Sequence, residues 1–92
     1  MVSASFKARE TRVALPSGVD LHARPAGIFV KTAMRFRSRV SVLSGEREAD
    51  AKSIIAVLAL GARGGTTVTL RAEGDDAAEA LAALGGCITS LA

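Results

Sequence analysis

Leu21-His22-Ala23-Arg24-Pro25-Ala26-Gly27-Ile28-Phe29-Val30-Lys31 runs from turn chemistry into a helix and holds the only histidine of the 92-residue chain. Upstream, Pro16-Ser17-Gly18 is a turn signal. Downstream, Ala26, Phe29, Val30, Ala33 and Met34 recur at i, i+3, i+4, i+7 and i+8, the buried stripe of an amphipathic helix. A helix accepts proline only in its first turn, where the missing N–H would have had no partner. Pro25 therefore places the helix start within a residue or two of His22, and the periodicity carries the helix to about residue 35. Arg24, Ile28, Lys31 and Arg35 share an adjoining face, a basic ridge that begins beside the histidine.

A helix start presents unpaired N–H groups and the positive end of the helix dipole, so an anion is stabilised there. A nucleophilic imidazole at that point can take up a phosphoryl group and have the new charge met by the Ala23 and Arg24 amides. The Arg24 guanidinium adds a charge-assisted donor. Dipole stabilisation is worth only ~0.3–2 kcal/mol, which leaves a bound group reactive rather than trapped. The plainer reading of a lone histidine here is a helix cap or a surface residue. It leaves Arg24 unexplained, because a cation in the first turn opposes the dipole unless an anion is near.

On either side of this stretch the pattern gives six further elements. Thr11, Val13 and Leu15 alternate with Glu10, Arg12 and Ala14 in a half-buried strand over 10–15. Residues 37–43 read as a second strand, Ser44-Gly45-Glu46 as a tight turn, and 47–50 as a charged return strand suited to a sheet edge. Residues 52–60 are apolar nearly all round, and Gly61 is a helix C-cap signal, so a helix of two turns is expected. A strand over 66–72 turns Val68, Leu70 and Ala72 inward. Gly74-Asp75-Asp76 caps a last helix over 77–91 with Leu81, Leu84 and Ile88 facing in. The order β, α, β, β, α, β, α predicts an α+β fold, one sheet with helices on a single face. Residues 1–9, small, polar and basic, read as a flexible N-terminal tail, and 10–92 as a single domain.

Composition narrows the function classes. Formal net charge is +3, but residues 1–45 hold eight Lys/Arg against two Asp/Glu, and 46–92 hold four against seven. The histidine lies in the basic half, which steers acidic partners or a phosphorylated ligand toward it. Nucleic acid is the competing explanation, with Arg35, Arg37 and Arg39 as its contacts. No aromatic residues interleave these arginines, so no nucleic-acid partner is expected. Cys87 is the only cysteine, which excludes an internal disulfide, and no metal-ligand pair stands at a usable spacing. No apolar run reaches membrane-spanning length and residues 1–7 lack a secretory h-region, so membrane insertion is not expected and a cytoplasmic location is.

Three segments together resemble one family: LHARPAGIFV at 21–30, Ala51-Lys52-Ser53-Ile54, and GARGGTTVTLRAEG at 61–74. They are similar to HPr, the histidine-containing phosphocarrier of the phosphoenolpyruvate-dependent sugar phosphotransferase system, in register over about residues 10–90. The resemblance implies an open-faced β-sandwich, a four-stranded antiparallel sheet with three helices on one face. It implies that the protein is a carrier and not an enzyme, monomeric and without cofactor or metal. His22 would be phosphorylated on Nδ1 by enzyme I and would hand the group to enzyme II A domains, with Arg24 steadying it.

Ser53 would be the serine that a dedicated kinase/phosphorylase modifies in some relatives, although a serine at a helix start is ordinarily an N-cap. Ile54, Ile55 and Leu58 exceed what one buried face needs and, with Lys31, form the expected partner-binding patch. The alternative function is a regulatory binding module governed by phosphorylation of Ser53, with a transcriptional regulator among its partners. The chain departs from the family at one place. Many relatives have glycine before the Leu-His pair, where Asp20 stands here, and its carboxylate bears on the loop and on the charge that an incoming phosphoryl group meets.

Overall fold

Val68, Leu70 and Ala72 are completely buried, while the residues between them are partly exposed, so this strand carries the centre of the core. The computed structural model describes residues 8–91. Its elements are β1 (Ala8–Ala14), α1 (Ala23–Ala33), β2 (Arg39–Ser44), β3 (Arg47–Asp50), α2 (Ile54–Leu60), β4 (Thr67–Glu73) and α3 (Ala77–Thr89). The four strands form one antiparallel sheet in the order β1-β4-β2-β3, an open-faced sandwich with the three helices on one side.

The order has a simple geometric origin. β1 and β2 both lie antiparallel to β4, so they run parallel to each other, and a parallel connection needs a crossover, which α1 supplies. β3 and β4 flank β2 in the same way and are joined through α2. The two crossovers interlock, each leaving the slot that the other half fills.

Inward-facing pairs Val13↔Val68, Val42↔Leu70, Val40↔Ala72 and Val42↔Ala49 form the floor of the core. Phe29 of α1 is its largest fully buried side chain, packed with Leu15, Leu21, Leu84 and Ile88. The other sheet face is polar, with Arg71 between Glu10 (3.9 Å) and Glu73 (3.1 Å). Such exposed pairs contribute about 0–1 kcal/mol each. β3 lies at the sheet edge, as its charge pattern predicts.

Element boundaries shift where long-range partners intervene. β1 begins at Ala8, so Ala8 and Arg9, expected in the tail, pair with Glu73 and Ala72. The remainder of the expected tail, residues 1–7, lies outside the described residues. α1 ends at Ala33, and Met34, expected in the buried stripe, is the C-cap and is 65% exposed. β2 starts at Arg39 rather than 37, because the preceding amides have other acceptors. The Arg37 N–H (2.8 Å) and Ser38 N–H (2.9 Å) both donate to the Asp76 carboxylate, as does the buried Ser38 hydroxyl. Asp76 thus stands at the N-cap position of α3 but makes no capping bond. Beside it, a Cβ on Gly74 would come within 2.9 Å of the Ser38 Cα, so only glycine fits.

This clamp gives a pH-dependent contribution to stability. The Ser38 hydroxyl first, and then the Arg37 amide, hold the Asp76 carboxyl below its ordinary value of 3.8. A depressed folded-state value stabilises the fold above the unfolded value, and the contribution is lost as pH falls through the folded one. Thermal melts should therefore show Asp76→Ala less stable than wild type at neutral pH. The gap should stay full above about pH 5 and close as pH drops below the ordinary carboxylate range.

Candidate functional site

His22 is the N-cap of α1, in extended backbone conformation (φ −99°, ψ −164°), and its imidazole makes no capping hydrogen bond. The ring is exposed while its neighbours Leu21, Pro25 and Ala26 are buried, so the histidine is a tip on an anchored base. The anchoring follows from the sequence pattern: Pro25, Ala26, Phe29, Val30 and Ala33 bury one face of α1, which fixes where its first turn points.

The backbone at this turn is largely spoken for. The Ala26 N–H donates to the His22 carbonyl at 2.8 Å, the first amide to close the helix. Pro25 has no N–H, and the His22 N–H donates to the Asp20 carbonyl at 2.9 Å. That leaves the Ala23 and Arg24 amides as the open donors at the positive end of the helix. No acidic residue occupies the first turn. His22 and Arg24 line one shallow depression with Gly18, Val19, Pro25, Ile28, Ser90 and Leu91.

A second loop braces the site. The Leu21 N–H donates to the Ala62 carbonyl (2.9 Å), the Gly65 N–H to the Leu15 carbonyl (2.9 Å) and the Leu15 N–H to the Thr66 carbonyl (2.8 Å). The Gly64 N–H donates to Asp20 Oδ1 at 2.8 Å. A Cβ on Gly64 would lie 2.5 Å from the Val19 nitrogen and 2.7 Å from the Pro16 oxygen, so the two loops touch backbone to backbone. Asp20 therefore faces the 61–65 loop, which answers the question its charge raised.

The other expected residues form a separate group. Ser53 is the N-cap of α2, its Oγ accepting from the Ala56 N–H at 3.2 Å, and Gly61 (φ 66°) is the left-handed C-cap. Both follow from the sequence reading. Ile54, Ile55 and Leu58 are exposed on this helix, Ile55 at 77%, and Lys31 is exposed on α1. None of these lines the His22 depression. Cys87 is half-buried, and that burial raises its thiol pKa, so it makes a poor nucleophile. Among the described residues no three His, Cys, Asp or Glu cluster as metal ligands, and no helix is long and apolar enough to cross a membrane. Sequence reasoning missed Ser90 and Leu91 at the site and the bonds of Asp20 and Asp76; each joins segments far apart in the chain, and no local signal marks such a meeting.

Comparison with known proteins agrees with this geometry. The family model described as "PTS HPr component phosphorylation site" matches residues 8–90. A multiphosphoryl transfer protein of Xanthomonas campestris is 44% identical over 82 residues, 89% of this chain; the chain spans only 10% of that protein's length. The phosphocarrier protein HPr of Mycoplasma capricolum is 39% identical over 66 residues, 72% of this chain and 74% of its own. The crystal structure of an HPr from Thermoanaerobacter tengcongensis superimposes with a TM-score of 0.84 at 41% identity, over 89% of this chain and 92% of the other. The matched residues, the sheet with its three helices, and the histidine at the start of α1 lead to one conclusion: the chain belongs to the HPr family, phosphocarrier proteins of the phosphotransferase system that are not catalysts in themselves.

Proposed function

We propose that His22 receives a phosphoryl group from phosphorylated enzyme I and passes it to enzyme II A domains. One observation carries the reading: an exposed imidazole at the N-cap of α1 shares a depression with Arg24, beside two open backbone donors. In the transfer, the Nδ1 lone pair of a neutral ring attacks phosphorus and Nε2 keeps its proton. The bond from phosphorus to the donor breaks, its electron pair staying on the donor. The Ala23 and Arg24 amides and the Arg24 guanidinium meet the phosphate oxygens. The reverse displacement delivers the group to the acceptor. The depression is shallow, so the partners supply the enclosure that excludes water. The exposed residues Ile54, Ile55, Leu58 and Lys31 are the proposed docking surface. We place the carrier in the cytoplasm as a monomer.

A second reading concerns Ser53. It is half-exposed at the start of α2, next to Ile54 and Ile55, so a phosphate on its hydroxyl would put a dianion on the proposed docking surface. This favours regulation of partner choice, by a serine kinase and through a transcriptional regulator, alongside carriage by His22.

Two measurements test these readings. Incubation with enzyme I and phosphoenolpyruvate should add one acid-labile phosphate, absent in His22→Ala and transferred about a hundredfold more slowly in Arg24→Ala; no incorporation into wild type overturns the carrier reading. For Ser53, a serine kinase with ATP should add an acid-stable phosphate that Ser53→Ala abolishes. Ser53→Asp should then raise the KM of enzyme I for the carrier while leaving the phosphohistidine's acid lability unchanged. Equal KM values for Ser53→Asp and wild type would remove the regulatory role.

A further inference from the structure

The residues joining the His22 loop to the 61–65 loop bond through their backbones, with one exception. Leu15, Leu21, Gly65 and Thr66 use only main-chain groups, which any residue supplies. Among the described residues Asp20 alone contributes a side chain, and it works at both ends. Its Oδ1 accepts from the Gly64 N–H at 2.8 Å, while its own carbonyl accepts from the His22 N–H at 2.9 Å. One residue therefore links the backbone amide of the histidine to Gly64, 44 positions beyond Asp20.

We infer that Asp20 is a positioning residue for phosphoryl transfer, setting the orientation of His22 through this two-ended link. The inference rests on the carrier reading of His22. Its physical basis is that the N-cap imidazole has no side-chain bond of its own, so the backbone alone sets the starting point of its χ1. The His22 carbonyl is fixed from one side by the Ala26 N–H, and its amide from the other by Asp20. With Gly64 lacking room for a Cβ, the second loop forms a close stop against which the carboxylate seats. The same bond engages the carboxylate with the Gly64 amide, and neither the Ala23 nor the Arg24 amide donates to it. Loss of the link frees the peptide preceding His22. In-line attack requires near-attack geometry, and a misplacement of about 1 Å costs up to ~100-fold.

The test uses the intact chain and the variants Asp20→Ala and Asp20→Asn, whose retained fold is checked by circular dichroism. With enzyme I as donor, Asp20→Ala should lower kcat for phosphorylation about tenfold with little change in KM for the carrier. Asp20→Asn keeps a carbonyl oxygen at the same place and should restore most of kcat. In parallel, amide hydrogen exchange should show the Gly64 and His22 amides losing protection together in Asp20→Ala and regaining it in Asp20→Asn. An unchanged kcat in Asp20→Ala, an effect confined to KM, or failure of Asn to rescue overturns the assignment. If wild type accepts no phosphoryl group, the carrier reading fails by itself. Exchange then decides the link separately, and independent behaviour of the Gly64 and His22 amides overturns it.

Discussion

Four hydrogen bonds between the segment ending at His22 and the 61–66 turn hold the working end of this molecule together. Sheet pairing ends at Ala14↔Thr67, and this junction carries the ladder past the last strand residue into what would otherwise be two free loops. It is close enough that a single methyl group on Gly64 would force the backbones apart. The start of α1, and so everything attached to it, takes its position from that contact as much as from the helix's own buried face.

A phosphate carrier meets opposing requirements. The accepting atom must be open to partners of different shape, yet it must not wander. His22, the proposed acceptor, is exposed together with Ala23 and Arg24, and order is delegated to atoms beneath them: Leu21 and Pro25 buried on either side, the Ala26 amide on the His22 carbonyl, Phe29 deep in the core. On the proposed reading the donors are the two open amides and the Arg24 guanidinium, a set strong enough to orient a phosphate and weak enough to release it. The absence of acidic residues in the first turn of α1 fits the same balance.

Local chemistry made much of this legible in the sequence. Pro25 fixed the beginning of α1, Gly61 the end of α2, and Ser53 its start, because caps and proline act within one turn. Strand alternation identified the inward residues of β1 and β4. What escaped was non-local. Met34 continues the helical stripe on paper, but the chain turns away because the Arg37 and Ser38 amides are taken by Asp76, across the fold. Asp20 read as a charge beside the histidine, whereas its partner is Gly64. The strand order was equally hidden, since β4 separates two strands that both precede it in the chain.

That order also dictates when the site can come into being. β1 and β2, both made early, have no pairing with each other and wait for β4, which lies in the last third of the chain. Until it arrives no strand pairing holds the 61–66 turn against the His22 segment, which is a loop of correct composition without a location. Such a topology concentrates contacts between distant residues, which slows folding relative to local structure. A nascent chain therefore carries the histidine well before it carries β4, and the proposed acceptor takes its place only once β4 has paired.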